Sequence, residues 1–180
     1  ELLLLLGKII IGVSLLVVAV DASTIITAEF EKETAESIFL SPVTVMQFII
    51  GKLCASLTLW AVIYLVAVPY ILVASSGTNL AMSFLIYTAL LGSLIITGFI
   101  LIIFSISLLF RSGKSTLTTS LILVLIFILA AMFSTPLKGS GLIGFLSTIN
   151  PVDNVFSSLD NVLVDYQTSI LQNTKYLVPL

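Results

Sequence analysis

Four stretches of this 180-residue chain, about 2–20, 45–74, 80–110 and 116–134, run for some twenty residues or more with almost no charge. Runs of that length can cross hydrocarbon as helices, because a helix rises about 1.5 Å per residue and the bilayer core is about 30 Å thick. A transmembrane β-barrel would show segments of about ten residues that alternate in polarity, and these runs do not alternate. Lipid offers backbone amides no partners outside their own segment, so the spans are helical. Composition agrees: 59% of residues are hydrophobic and 9% charged, against about 25% charged in a soluble domain. The fold class is therefore an all-α integral membrane protein, a helical bundle. The chain opens at Glu1 without Met, and Tyr176 to Leu180 reads as the start of a further span. It is expected to be one piece of a longer chain.

The net charge of −2 and the lack of any Lys/Arg cluster argue against a nucleic-acid partner. The lone Cys54 allows neither an internal disulfide nor a multi-thiolate site, and reads as a small apolar side chain. With no His in the sequence, an intramembrane zinc protease lacks its ligands. An aspartyl protease needs two intramembrane carboxylates, and only Asp21 lies near the membrane. Gly113, Lys114, Ser115 and Thr116 spell the tail of a phosphate-binding P-loop, but Leu108 stands where that motif needs Gly and no strand precedes it. Arg111 to Ser115 reads instead as a short basic turn between two spans. No catalytic, cofactor or metal residues are assigned to this chain.

The first span carries Lys8 in its outer part and Asp21 at its far end. No shift of the span boundary exposes both, so they stand as conduit or interface residues, with snorkelling as the simpler reading of Lys8. The second span follows Pro42, with its first turns at the membrane surface and Ser41 as its helix cap. Pro69 removes one amide donor near its outer end and predicts a kink. Ser75 to Asn79 forms an uncharged turn, so the helices on either side run antiparallel. Gly92, Ser93, Thr97 and Gly98 permit close helix approach in the third span.

Lys32, Lys52, Arg111 and Lys114 fall on one side of the membrane, against none in the 75–79 turn and only Lys138 and Lys175 in the 136–175 tail. The Lys/Arg bias makes the first side cytoplasmic and the 75–79 and 136–175 segments extracytoplasmic. Within the tail, Val152, Val155, Phe156, Leu159, Val162, Leu163 and Tyr166 recur at helical steps opposite a polar face. Asn150 and Pro151 supply the N-cap and first helical position. This predicts an outer amphipathic helix that lies in the interface or re-enters the membrane.

Between the first two spans lies a compact charged element. Of the chain's sixteen charged side chains, seven Lys or Arg and nine Asp or Glu, Glu29, Glu31, Lys32, Glu33 and Glu36 fall within eight residues. Glu29, Lys32, Glu33 and Glu36 share one helical face, Phe30, Ile38 and Phe39 supply apolar anchors, and Pro42 ends the segment. A solvated interfacial helix joining two spans is the plain reading of the charge pattern alone.

The series Glu31, Lys32, Glu33, Thr34, Glu36, Leu40, Pro42, Gly51, Lys52 and Leu53 resembles the loop after the second membrane helix of ABC type 2 permeases, the transmembrane subunits of many ABC exporters. The order that follows is also similar: two spans, a short basic turn, another span, then N-P-V-D-N-V-F ahead of a last helix. Glu33 stands where that family commonly has Gly. The resemblance implies about six spans in the full chain, four of them complete here. It also implies a cytoplasmic coupling helix over 28–41, with Glu29, Glu31, Lys32, Glu33, Thr34, Glu36, Phe39 and Pro42 engaging a separate ATPase. ATP and Mg would be held by that partner, and a second permease copy or a homologous permease would complete the conduit in a cell membrane, inner or plasma. Two alternatives stay open. The haem-export-like membrane subunit of cytochrome c maturation also has an acidic stretch before Ser-Pro. A non-transport membrane scaffold would use the charged helix only to dock a soluble protein.

Overall fold

The computed structural model describes residues 2–31, 44–76, 81–110, 112–137 and 150–164, and among them every regular element is an α-helix. The helices are α1 (Leu2–Glu31), α2 (Val45–Ala74), α3 (Ala81–Phe110), α4 (Gly113–Leu137) and α5 (Pro151–Val164). Four contain stretches long and apolar enough to cross a membrane: Leu5–Ala28, Met46–Ala74, Ala81–Phe110 and Gly113–Met132. This is a membrane protein with transmembrane helices.

Several helix ends differ from the sequence-based expectation, each for a local reason. α1 does not stop near Val20 but continues to Glu31. Its hydroxyls are absorbed by its own backbone: Ser23 Oγ donates to the Val20 carbonyl at 2.8 Å and Thr27 Oγ1 to the Ser23 carbonyl at 2.7 Å, the back-bonding that lets Ser and Thr sit inside a helix. α2 is capped by Thr44; Ser41 lies outside the described residues. The Gln47 amide donates to Thr44 Oγ1 at 3.3 Å while Gln47 Oε1 accepts from the Thr44 amide at 3.0 Å, a reciprocal capping box. The 111–115 turn is shorter than expected, because Gly113 to Ser115 already form the first turn of α4 and the Thr116 amide donates to the Ser112 carbonyl at 3.0 Å. α2 runs unbroken through Pro69. Beyond Ala74, the Ser75 and Ser76 hydroxyls donate to the Leu72 and Val73 carbonyls at 3.1 and 2.7 Å, satisfying groups the helix end leaves open.

The chain divides into two compact units. The first takes residues 1–12, 64–95 and 125–180. In it Ile11, Ile71, Phe84 and Ile95 are fully buried along with Val152, Val155 and Leu159 of α5. Tyr64 Oη donates to the Leu85 carbonyl at 2.6 Å, tying α2 to α3. A Cβ on Gly7 would stand 2.6 Å from the ring of Phe84, so the absent side chain is what lets α1 and α3 approach. The second unit takes residues 13–63 and 96–124, with Leu15, Val18, Ile96, Ile100, Ile103 and Val124 buried at its centre.

Hydropathy does not distinguish the inner from the outer face of these helices, since lipid is as apolar as the core; residue size does more. On α1 the buried side holds Ser14, Ala19, Ala22, Ser23 and Thr27 among larger residues, while Leu5, Ile9, Val13 and Val17 are exposed.

Candidate functional site

The charged groups that sequence singles out fall in three places. Lys8 lies on α1 within the first unit, and its ammonium meets the carboxylate of Asp160 on α5, 3.0 Å from Oδ1 and 3.1 Å from Oδ2. Both side chains are about two-fifths exposed. The same ammonium stands 5.7 Å from the centre of the Phe156 ring, one turn back on α5, close enough for the ring's negative face to attract it. Lys8 therefore has a fixed carboxylate partner, rather than only reaching for the membrane surface.

α5 is anchored by the residue that precedes it. Asn150 Oδ1 accepts from the Val152 amide at 3.0 Å, the N-cap interaction expected of that residue. Its Nδ2 donates to the Phe127 carbonyl of α4 at 2.9 Å, and the Asn150 side chain is almost wholly buried. One side chain thus starts α5 and ties it to α4. Val152, Val155, Phe156 and Leu159 of α5 are buried as the periodicity predicts, but so are Asp153 and Ser158 from the opposite face. The helix is packed on more sides than an element lying free in an interface would be. At 14 residues it is also too short to span, since about 20 are needed.

Asp21 lies in the second unit, where its Oδ2 accepts a hydrogen bond from Ser56 Oγ of α2 at 2.8 Å, with Ser56 fully buried. One turn earlier on α2, Lys52 places its ammonium 5.3 Å from the Phe48 ring. Lys8 and Asp21 belong to different units and take different partners. Neither Asp160 nor Ser56 is legible as a partner in the sequence: Asp160 shows only as one of several polar residues on an amphipathic face, and Ser56 gives no signal at all.

Of the residues that the resemblance ties to coupling, Glu29 and Glu31 belong to the last turn of α1. Lys32, Glu33, Thr34, Glu36, Phe39 and Pro42 lie outside the described residues. Among the described residues no group of three or more metal-ligating side chains comes together. Thr88 and Ser158 in the first unit and Ser107, Thr116 and Ser120 in the second bury their hydroxyls without a hydrogen-bond partner among the described residues. No family model, curated protein or solved structure matches this chain.

Proposed function

We propose that this chain is the membrane-spanning permease subunit of an ATP-driven ABC transporter, working as an exporter. The observation that carries the reading is the continuity of α1. Its membrane-crossing stretch ends at Ala28, and the same helix runs on without a break to Glu31. The start of the acidic element is thus joined to a spanning helix with no loop between them, so a push on the element would travel into the membrane as movement of a rigid rod. The order of parts supports the same reading. α1 and α2 flank the acidic segment, a two-residue connection joins α3 to α4, and the capped α5 follows.

In this reading residues 28–41 form the coupling helix, on the cytoplasmic side with 111–115, while 75–79 and 136–175 lie outside. A separate ATPase subunit binds ATP and Mg, and its movement reaches the spans through Glu29, Glu31, Lys32, Glu33, Thr34, Glu36, Phe39 and Pro42. The permease itself contributes no catalysis; a second permease copy, identical or homologous, completes the conduit, and the full chain has about six spans in a cell membrane.

The test is reconstitution of the full-length protein with a candidate P-loop ATPase subunit, comparing the wild type with Glu33→Lys/Glu36→Lys. Loss of complex formation and of substrate-stimulated ATP hydrolysis is expected. A charge-reversed protein that still binds and stimulates the ATPase would sink the coupling role.

A further inference from the structure

The Lys8–Asp160 pair has a feature that a purely structural ion pair does not need: it is open on one side. Both side chains keep more than a third of their surface exposed, although Lys8 lies inside the apolar stretch Leu5–Ala28. A positive and a negative group are thus held side by side, half-covered, a few residues inside the end of a spanning helix. One turn deeper on α1 is Gly12, and no atom comes within 4 Å of where its Cβ would stand. Gly12 and Lys8 are four residues apart and lie on the same side of the helix. Beside them Leu5 and Ile9 are exposed apolar side chains, at 61% and 53%. All of these residues, with α5, belong to one unit.

We infer that this surface seats a zwitterionic phospholipid of the phosphoethanolamine type, with its phosphate on Lys8, its ammonium on Asp160 and an acyl chain running over Gly12. Charge decides the ligand class. A purely anionic headgroup would gain Lys8 but meet the carboxylate of Asp160, while Asp153 stands seven residues away on the same side of α5. A simple cation would meet Lys8. A headgroup carrying both signs matches the pair term for term, and each of its charges can replace part of the hydration that an open ion pair otherwise needs. The apolar neighbours and the bare backbone at Gly12 lead from the pair toward the hydrocarbon, where only an acyl chain would lie.

The experiment uses the full-length protein in nanodiscs made with equal amounts of phosphatidylethanolamine and phosphatidylglycerol, with retained lipids counted by native mass spectrometry. Phosphatidylethanolamine is expected to be retained preferentially. Gly12→Leu, which fills the open backbone without touching a charge, and Lys8→Gln/Asp160→Asn, which removes both charges but keeps the shapes, should each lower its retention, the neutral pair by at least about tenfold because it loses two charge-assisted contacts. Circular dichroism checks that each variant folds, and if Gly12→Leu does not, the neutral pair decides. Equal retention of the two lipids, or retention unchanged in the folded variants, overturns the assignment. So does displacement of the lipid by free phosphoethanolamine, which would show that a soluble headgroup suffices. The readout is lipid retention alone, so it stands apart from any transport or ATPase result.

Discussion

Ser56 donates a hydrogen bond from Oγ to Oδ2 of Asp21 at 2.8 Å, joining α2 to α1 across 35 positions of sequence. A carboxylate this far along a spanning helix is costly without a donor, and a buried serine supplies one. Ser56→Ala should destabilise the protein by about 0.5–1.5 kcal/mol, the range found for hydrogen bonds between membrane helices. Asp21→Asn, which keeps an acceptor oxygen, should cost less. Unfolding in mixed micelles checks the order; equal losses for the two variants would show that the charge rather than the bond is what matters.

Lys8 and Asp160 are each about two-fifths exposed, so water and headgroups screen them and their coupling should be modest. A double-mutant cycle of Lys8→Met with Asp160→Asn is expected to give no more than about 1 kcal/mol, as for other exposed pairs. A coupling of several kcal/mol would mean that the pair is far drier than its exposure indicates.

Asn150 does two jobs at once and its variants separate them. Asn150→Ala removes both the cap and the bond to Phe127, and should cost about 1–2 kcal/mol. Asn150→Asp keeps an oxygen for the Val152 amide but sets a buried carboxylate oxygen against the Phe127 carbonyl, so it should cost at least as much as Ala. Hydrogen exchange at the Val152 amide reads the cap directly: faster in Ala, near wild type in Asp.

Gly7 is the position where helix propensity and packing disagree. Ala is the better helix former by about 1 kcal/mol, yet its Cβ would stand 2.6 Å from the fully buried Phe84 ring. Overpacking of this kind costs about 1–3 kcal/mol, so Gly7→Ala should be destabilising on balance. Adding Phe84→Leu should recover part of the loss in a thermal unfolding series.

What could be read from the sequence was whatever a segment settles by itself. Continuous apolar runs gave four membrane-crossing helices, since nothing but a helix satisfies backbone amides in lipid. Asn150 and Pro151 marked the start of α5 because a cap is a local device. The end of α1 could not be read that way. Asp21, Ser23, Thr24 and Thr27 look like an exit from the membrane, but the hydroxyls turn back onto α1 carbonyls and Asp21 finds Ser56 on another helix. The partner of Lys8 is 152 positions away, beyond the reach of any periodicity, and the capping role of Thr44 depends on the reply from Gln47.

The unequal burial of the spanning helices has a further consequence. Half of the apolar stretch of α1 is covered by the rest of the chain, against 17% of that of α2. The two helices therefore experience different solvents. A change of side-chain shape on α1 must be absorbed by neighbouring residues, whereas on α2 it is met mostly by whatever lies alongside, acyl chains or another subunit's helix. α2 is the part of this chain whose packing should follow the thickness of the bilayer most closely, and α1 should follow it less.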